Sequence, residues 1–401
     1  MLRRVFRALH YRDFRLVWCG ACVSSIGTWM QKLAQSWVVL QISGSPFLLG
    51  LDAFLGEIPI FLFSLVGGVV ADRASRRNLL LASQFTQMAC AFVLALLFAL
   101  DVVRVWHILT LSFMVGLAQA FGGPAYQALL PSLVESRALP NAIAMNSLQF
   151  NLARIVGPML GGLALTHLGA AWCFSLNGIS FLAVIASLLA LKLPPAAAAQ
   201  HDSMLESMKE GLAFIRRQSA MLGLIVIAFL TTLVGIPLIV FLPVYARDIF
   251  QEGPKTYTLL LSLSGGGSVC GALLVAALAH YRHMGRTSLE MLTAFGVLMT
   301  AFALSTSLVW SSVLVFLAGT ALIAVFSLIS SLAQIVTPDQ IRGRVMSVYN
   351  VAFRGGMPIG SLLAGTLIPI WSAPLVLACG GVFLVLLGLY FLFVQRRVAT
   401  L

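Results

Sequence analysis

The chain has 401 residues, 60% of them apolar and only 9% charged, with a formal net charge of +12. Soluble domains carry about 25% charged residues, so this composition excludes a water-soluble globule. The surplus of cations fits a nucleic acid or a membrane surface equally well, and only the positions of the Lys and Arg residues decide between them.

A run of about 20 apolar residues spans a bilayer as a helix. Twelve such runs follow one another, at 14–41, 47–71, 78–100, 105–130, 141–168, 170–192, 218–246, 256–281, 287–307, 310–336, 344–371 and 374–395. The first follows a basic segment and is span-length, so it reads as a span and not as a removable signal peptide. Ser24, Ser25, Thr28, Gln31, Lys32 and Gln35 recur along it at helical spacing and form one polar stripe, while Val23, Ile26, Met30 and Leu33 fall away from it. A polar stripe on a membrane helix faces water or the bundle interior. Trp29 and Trp37 read as packing or interface anchors.

The second run holds both in-span carboxylates, Asp52 and Glu57. Glu57 lies ten residues after Phe47, and Lys32 lies ten before Ile42. At a rise of 1.5 Å per residue both are about 15 Å deep, near the middle of the hydrocarbon core. An unpaired charge there is expensive, which points to a Lys32–Glu57 pair. Asp52 lies about 140° around the helix from Glu57 and is expected to meet outer water or a loop.

The loop after the second run reads GGVVADRASRR (67–77), with Asp72, Arg73, Arg76 and Arg77 in a tight turn. The fifth run reads QFNLARIVGPMLGGLAL (149–165). Arg154 sits near its middle, sharing a helix face with Ser147 and Asn151. Gly157, Pro158, Gly161 and Gly162 follow, which allow close helix approach and a kink.

After the sixth run comes LPPAAAAQHDSMLESMKEGLAFIRR (193–217). Pro194-Pro195 stops the helix. Ser203 with Glu206 makes a capping box for a new one, with Leu205, Met208, Leu212 and Ile215 on one side. That helix is expected to lie on the membrane surface. It divides the chain into a six-helix half with a basic N-terminal surface helix (1–192), a cytoplasmic linker (193–217) and a second six-helix half (218–401). Shifting by 200 residues sets YNVAFRGGMPIGSLLAG (349–365) beside the fifth run, aligning Arg154 with Arg354 and Pro158 with Pro358. Such a match implies parallel repeats about an axis along the membrane normal.

With the N-terminus inside, 19 of the 25 Lys and Arg fall in cytoplasmic segments and three in outer loops, while Lys32, Arg154 and Arg354 lie within spans. This is a positive-inside pattern, with both termini cytoplasmic. It accounts for the net charge through anionic lipid headgroups and makes nucleic acid unnecessary. The six cysteines all lie in apolar runs and read as packing residues. Neither they nor the histidines form a metal-ligand pattern, and no G-x-x-x-x-G-K-[ST] loop is present. No metal, cofactor or enzymatic activity is therefore expected.

The 67–77 loop resembles the cytoplasmic signature of the major facilitator superfamily, roughly G-x-x-x-D-R-x-G-R-R. Gly68, Asp72, Arg73, Arg76 and Arg77 match it, and Ser75 replaces a glycine. ALAHYRHMGRTS (277–288) is a degraded second copy, with His280 in place of the acid and Gly285 and Arg286 retained. GPMLGG (157–162) looks like the fifth-span motif of drug–proton antiporters. PSLVESRALPNAIAMNS and RGRVMSV resemble the bacterial branch of enterobactin exporters and macrolide efflux proteins. The resemblance covers the whole chain. It implies an all-α membrane protein of twelve transmembrane helices in two pseudo-symmetric halves. It also implies that Asp72 and the three arginines latch the cytoplasmic side. The fourth run lacks the membrane arginine of many drug–proton antiporters.

The expected function is export of a small molecule (drug, siderophore or other metabolite) across a bacterial cytoplasmic membrane. Alternating access by a monomer, coupled to protons by antiport, is the expected mechanism. Lys32, Glu57, Arg154, Arg354, Gln31 and Asn151 are the candidate cavity and coupling residues. Two alternatives stand beside it: a lipid or lysolipid flippase on the same scaffold, and a non-transporting membrane receptor or assembly subunit.

Overall fold

The computed structural model describes residues 6–191, 204–277 and 283–401. The long helices are α1 (Arg12–Ser43), α2 (Pro46–Arg73), α3 (Arg76–Ala99), α4 (Val105–Leu129), α5 (Leu139–His167), α6 (Ala170–Leu189), α7 (Met204–Arg217), α8 (Ser219–Gly235), α9 (Pro254–Ala277), α10 (Met284–Leu304), α11 (Leu308–Val336), α12 (Arg342–Trp371) and α13 (Ala373–Leu389). No strand occurs among the described residues.

Among the described residues, eleven helical segments are long and apolar enough to cross a bilayer. The first of the twelve expected spans falls outside that set. At 32 residues, α1 is about 48 Å long, so length is not the reason. Its polar stripe dilutes the apolar character that the other helices keep. The seventh span is also irregular. After α8 the chain makes two short turns, Pro237–Val240 and Leu242–Val244, and then a π turn at Tyr245–Ile249. Pro237 and Pro243 each lack the N–H that a continuous helix needs. By contrast, α5 runs unbroken through Pro158 and α12 through Pro358.

The chain forms two compact units, one of Met1–Gly44 with Leu55–Ala199, the other of Ser45–Phe54 with Gln200–Leu401. The first turns of α2 therefore group with the second unit. Gly50 there approaches Ser361 and Gly365 of α12 so closely that an added Cβ would lie 2.5 Å from the Ser361 carbonyl oxygen. In that stretch Asp52 is buried, which corrects the expectation of outer water.

Small residues bring helices together in both units. Without a hydrophobic driving force between membrane helices, close backbone approach through Gly supplies the packing energy. In the first unit a Cβ at Gly157 would meet Trp29 Cβ at 2.4 Å, and one at Gly161 would meet Met30 Cα at 3.0 Å, so α5 rides on the backbone of α1. A Cβ at Gly27 would lie 2.3 Å from Ser180 Oγ of α6. Gly67 and Gly116 join α2 to α4, each with an opposing carbonyl where its Cβ would be. In the second unit Gly356 and Gly360 join α12 to α8, Gly267 and Gly271 join α9 to α11, and Gly296 and Gly381 join α10 to α13. The fifth-on-first and second-on-fourth pairings thus occur within each unit.

The linker helix α7 packs on the start of α12. Arg344 pairs with Glu210, and a Cβ at Gly211 would sit 2.8 Å from the Arg344 carbonyl oxygen. Ile215 is buried while Leu212 is exposed. The Ser203–Glu206 capping box and the side chains of Leu205 and Met208 lie outside the described residues, as does His280.

Gly360→Ala would force its Cβ to 1.8 Å from the Leu233 carbonyl oxygen, whereas Gly343→Ala meets nothing within 4 Å. Overpacking of this kind costs about 1–3 kcal/mol. Thermal melts in detergent should show a clear loss of stability for Gly360→Ala and none for Gly343→Ala.

Candidate functional site

The polar stripe of α1 is held by hydrogen bonds from three neighbouring helices. Asn177 on α6, itself buried, donates to Gln31 Oε1 at 2.6 Å. Gln31 donates to Gln35 Oε1 at 3.4 Å, and Gln35 donates to Ser112 Oγ on α4 at 2.8 Å. Lower on the helix, Gln149 of α5 donates to the Ala21 carbonyl at 3.1 Å and to Ser25 Oγ at 2.6 Å. Each buried polar group in a membrane needs such a partner. Gln31 is therefore a member of an interhelical chain. Asn177 and Ser112 belong to it too, and Gln149 makes a separate contact with the stripe, though nothing in the sequence surroundings of these three singles them out.

Lys32 Nζ lies 3.7 Å from Glu57 Oε1, with side-chain exposures of 58% and 31%. This is within ion-pair range but longer than a charge-assisted hydrogen bond of about 2.7–2.9 Å, so the ammonium is not locked to the carboxylate. Lys32 Nζ is also 5.4 Å from the centroid of the Trp29 ring. The Arg154 guanidinium carbon lies 5.8 Å from the same centroid. Both distances are inside the range of about 6 Å in which a cation is attracted to an aromatic face. Phe150 of α5 meets the Trp29 ring edge-on, centroids 6.1 Å apart. Trp29 is thus the common neighbour of two cations, a place that its reading as a packing residue missed. The i, i+3 spacing of Trp29 and Lys32 was the available signal.

Asn151 turns back onto its own helix, donating to the Ser147 carbonyl at 2.9 Å, and so does not extend the cluster. Arg354 is exposed. The two arginines align in sequence, but their helices are turned differently. Gly157 and Gly161 face α1, and Arg154 lies about 40° from that face by helical rotation. Gly356 and Gly360 face α8, one position nearer the arginine, which places Arg354 about 140° away.

The signature loop caps helix ends. Arg76 donates to the Ala128 carbonyl at 3.0 Å and Arg77 to the Leu189 carbonyl at 2.8 Å, at the C-terminal ends of α4 and α6. Cations there satisfy orphan carbonyls and complement the helix dipole. Ser75 caps α3 by accepting from the Asn78 N–H at 3.4 Å. Arg73 is exposed, and the Asp72 side chain lies outside the described residues. On the side of α1 opposite its polar stripe, an apolar groove of about 640 Å³ is lined by Val23, Met30, Leu160, Leu163, His167 and Leu176, among others.

Long apolar helices enclosing a hydrogen-bonded polar stripe with charges at mid-span define a multi-pass membrane transporter. The family described as transmembrane secretion effector matches residues 5–400, and the chain belongs to that family, within the major facilitator superfamily. It is 28% identical over 363 residues to the multidrug efflux pump Tap of Mycolicibacterium fortuitum, covering 88% of each chain. It is 26% identical over 389 residues to the enterobactin exporter EntS of Escherichia coli O1:K1 / APEC, covering 95% of this chain and 91% of that one. In fold it is similar to the crystal structure of a bacterial homolog of the human lysosomal transporter Spinster, with TM-score 0.77 and 14% identity over 96% of each chain.

Arg76→Ala and Arg77→Ala should each lower the detergent melting temperature, by about 1 kcal/mol of stability, through loss of a charged helix cap. Unchanged melts would show that these bonds add nothing to stability.

Proposed function

We propose that the chain exports a small molecule across the bacterial cytoplasmic membrane by alternating access of its two six-helix halves (1–192 and 218–401), in antiport with protons. Both termini face the cytoplasm in this reading, and the transporter works as a monomer. Its similarity to proteins named as efflux pumps and exporters supports the outward direction. The observation that carries the coupling is the loose Lys32–Glu57 pair. A charge at mid-span is costly unless a partner or a water-filled cavity meets it, so proton uptake by Glu57 leaves Lys32 without its partner and changes which helix arrangement is favoured. Arg154, near that pair and on the Trp29 ring, serves substrate binding or coupling. Asp72 with Arg73, Arg76 and Arg77 latches the cytoplasmic side, and Arg354 acts in the second half.

A growth-protection screen against antibiotics and siderophores in an efflux-deficient host identifies the cargo. With that cargo in proteoliposomes under an imposed pH difference, Glu57→Gln should retain downhill exchange and lose accumulation against a gradient. Continued accumulation in Glu57→Gln would remove Glu57 from the coupling step. A second reading, lipid or lysolipid translocation, draws on the apolar groove beside α1. It predicts translocation that ignores both the pH gradient and the Glu57 substitution.

A further inference from the structure

The Lys32 ammonium sits between two unlike partners, 3.7 Å from a Glu57 oxygen and 5.4 Å from the Trp29 ring centroid. A mid-span lysine that loses its carboxylate turns to water or to another electron-rich neighbour, and with its side chain 58% exposed Lys32 has both within reach. Among the described residues, Glu57 is the carboxylate in ion-pair range of it. On α2, Asp52 is five residues from Glu57 and groups with the other unit. On α4, the nearby partner of the stripe is the uncharged Ser112. On α6 it is the uncharged Asn177. On α5 the facing charge is Arg154, which repels the ammonium and shares the same ring. Among these neighbouring side chains the aromatic face is the electron-rich group that remains to compete with water, three residues away on the same helix, where side chains at i and i+3 meet.

We propose that Trp29 is a positioning residue for proton coupling. It receives the Lys32 ammonium when Glu57 takes up a proton, and it balances that ammonium against Arg154. The proposal rests on Glu57 being the coupling carboxylate. Coupling then needs a carboxylate that releases the lysine, an aromatic face that accepts it, and a guanidinium that sets how firmly the ring is already occupied. Trp29 stabilises the state in which Glu57 is neutral and Lys32 is free. Removing the ring makes that state costlier, so proton uptake moves to lower pH. Arg154 works the other way. Its positive charge favours the ionised carboxylate and disfavours a free ammonium beside it, so its removal moves proton uptake to higher pH. With the Lys32 side chain 58% exposed, the cation–ring attraction corresponds to a shift of about half a pH unit.

The test needs no knowledge of the substrate. Purified protein in lipid vesicles is titrated by infrared difference spectroscopy, following the C=O band of protonated carboxyl that Glu57→Gln deletes. The midpoint should fall in Trp29→Leu, stay near wild type in Trp29→Phe, and rise in Arg154→Gln. If Trp29 were only a packing residue on Gly157, Trp29→Leu would lower the melting temperature and leave the midpoint in place. That result, with the Glu57 band still present, overturns the proposal. Whether Glu57 couples transport is judged apart, by gradient-driven accumulation in Glu57→Gln. A shifted midpoint with accumulation intact in Glu57→Gln also overturns the proposal, because Trp29 would then tune an ion pair that transport does not use.

Discussion

Charge inside hydrocarbon has to be answered from within the protein, and in this chain the first helix concentrates the demand. Lys32 is met by Glu57 and Trp29, Arg154 by the same ring, and Gln31 and Gln35 by Asn177 and Ser112. These partners come from α2, α4, α5 and α6. Satisfying one polar stripe thus fixes the placement of four neighbours. A helix of this polarity would be a poor membrane span on its own, and it is stable as one because the bundle supplies what water would otherwise supply.

That arrangement needs helices to approach more closely than ordinary side chains permit. Gly27 lets α6 come near enough for the Asn177 amide to reach Gln31, and Gly157 lets α5 come near enough for Arg154 to reach Trp29. Packing and electrostatics are one device here. The glycines set the separation, and the separation decides which polar groups can pair. In the second unit Gly356 and Gly360 bring α12 onto α8 in the same way, but with the arginine turned away from the contact. The same small-residue logic thus serves two different electrostatic outcomes.

Much of this was legible in the sequence. Apolar length located the helices, because a bilayer imposes a fixed span. Counting residues from the ends of the first two runs put Lys32 and Glu57 at one depth, and the structure places them in ion-pair contact. What could not be read was anything that depends on helix rotation or on partners distant in sequence. Asn177, Ser112 and Gln149 look like ordinary small polar residues in apolar runs, and only the fold brings them to α1. Aligning Arg154 with Arg354 hid the one-position shift of the contact glycines that turns the two arginines differently. Asp52 was misplaced because the first turns of α2 group with the second unit, a tertiary fact that no local pattern encodes.

The account stands on Lys32 and Glu57 acting as a pair, and a double-mutant cycle addresses that claim directly. The melting temperature of the purified protein in lipid is compared for Lys32→Met, Glu57→Gln and the double variant. Each single change strands one partner, most severely Lys32→Met, which leaves a carboxylate without its cation. The account predicts that the double variant is more stable than Lys32→Met alone and departs clearly from the sum of the two single effects. Strict additivity would contradict it, because two groups that do not feel one another cannot form the pair on which the first helix depends.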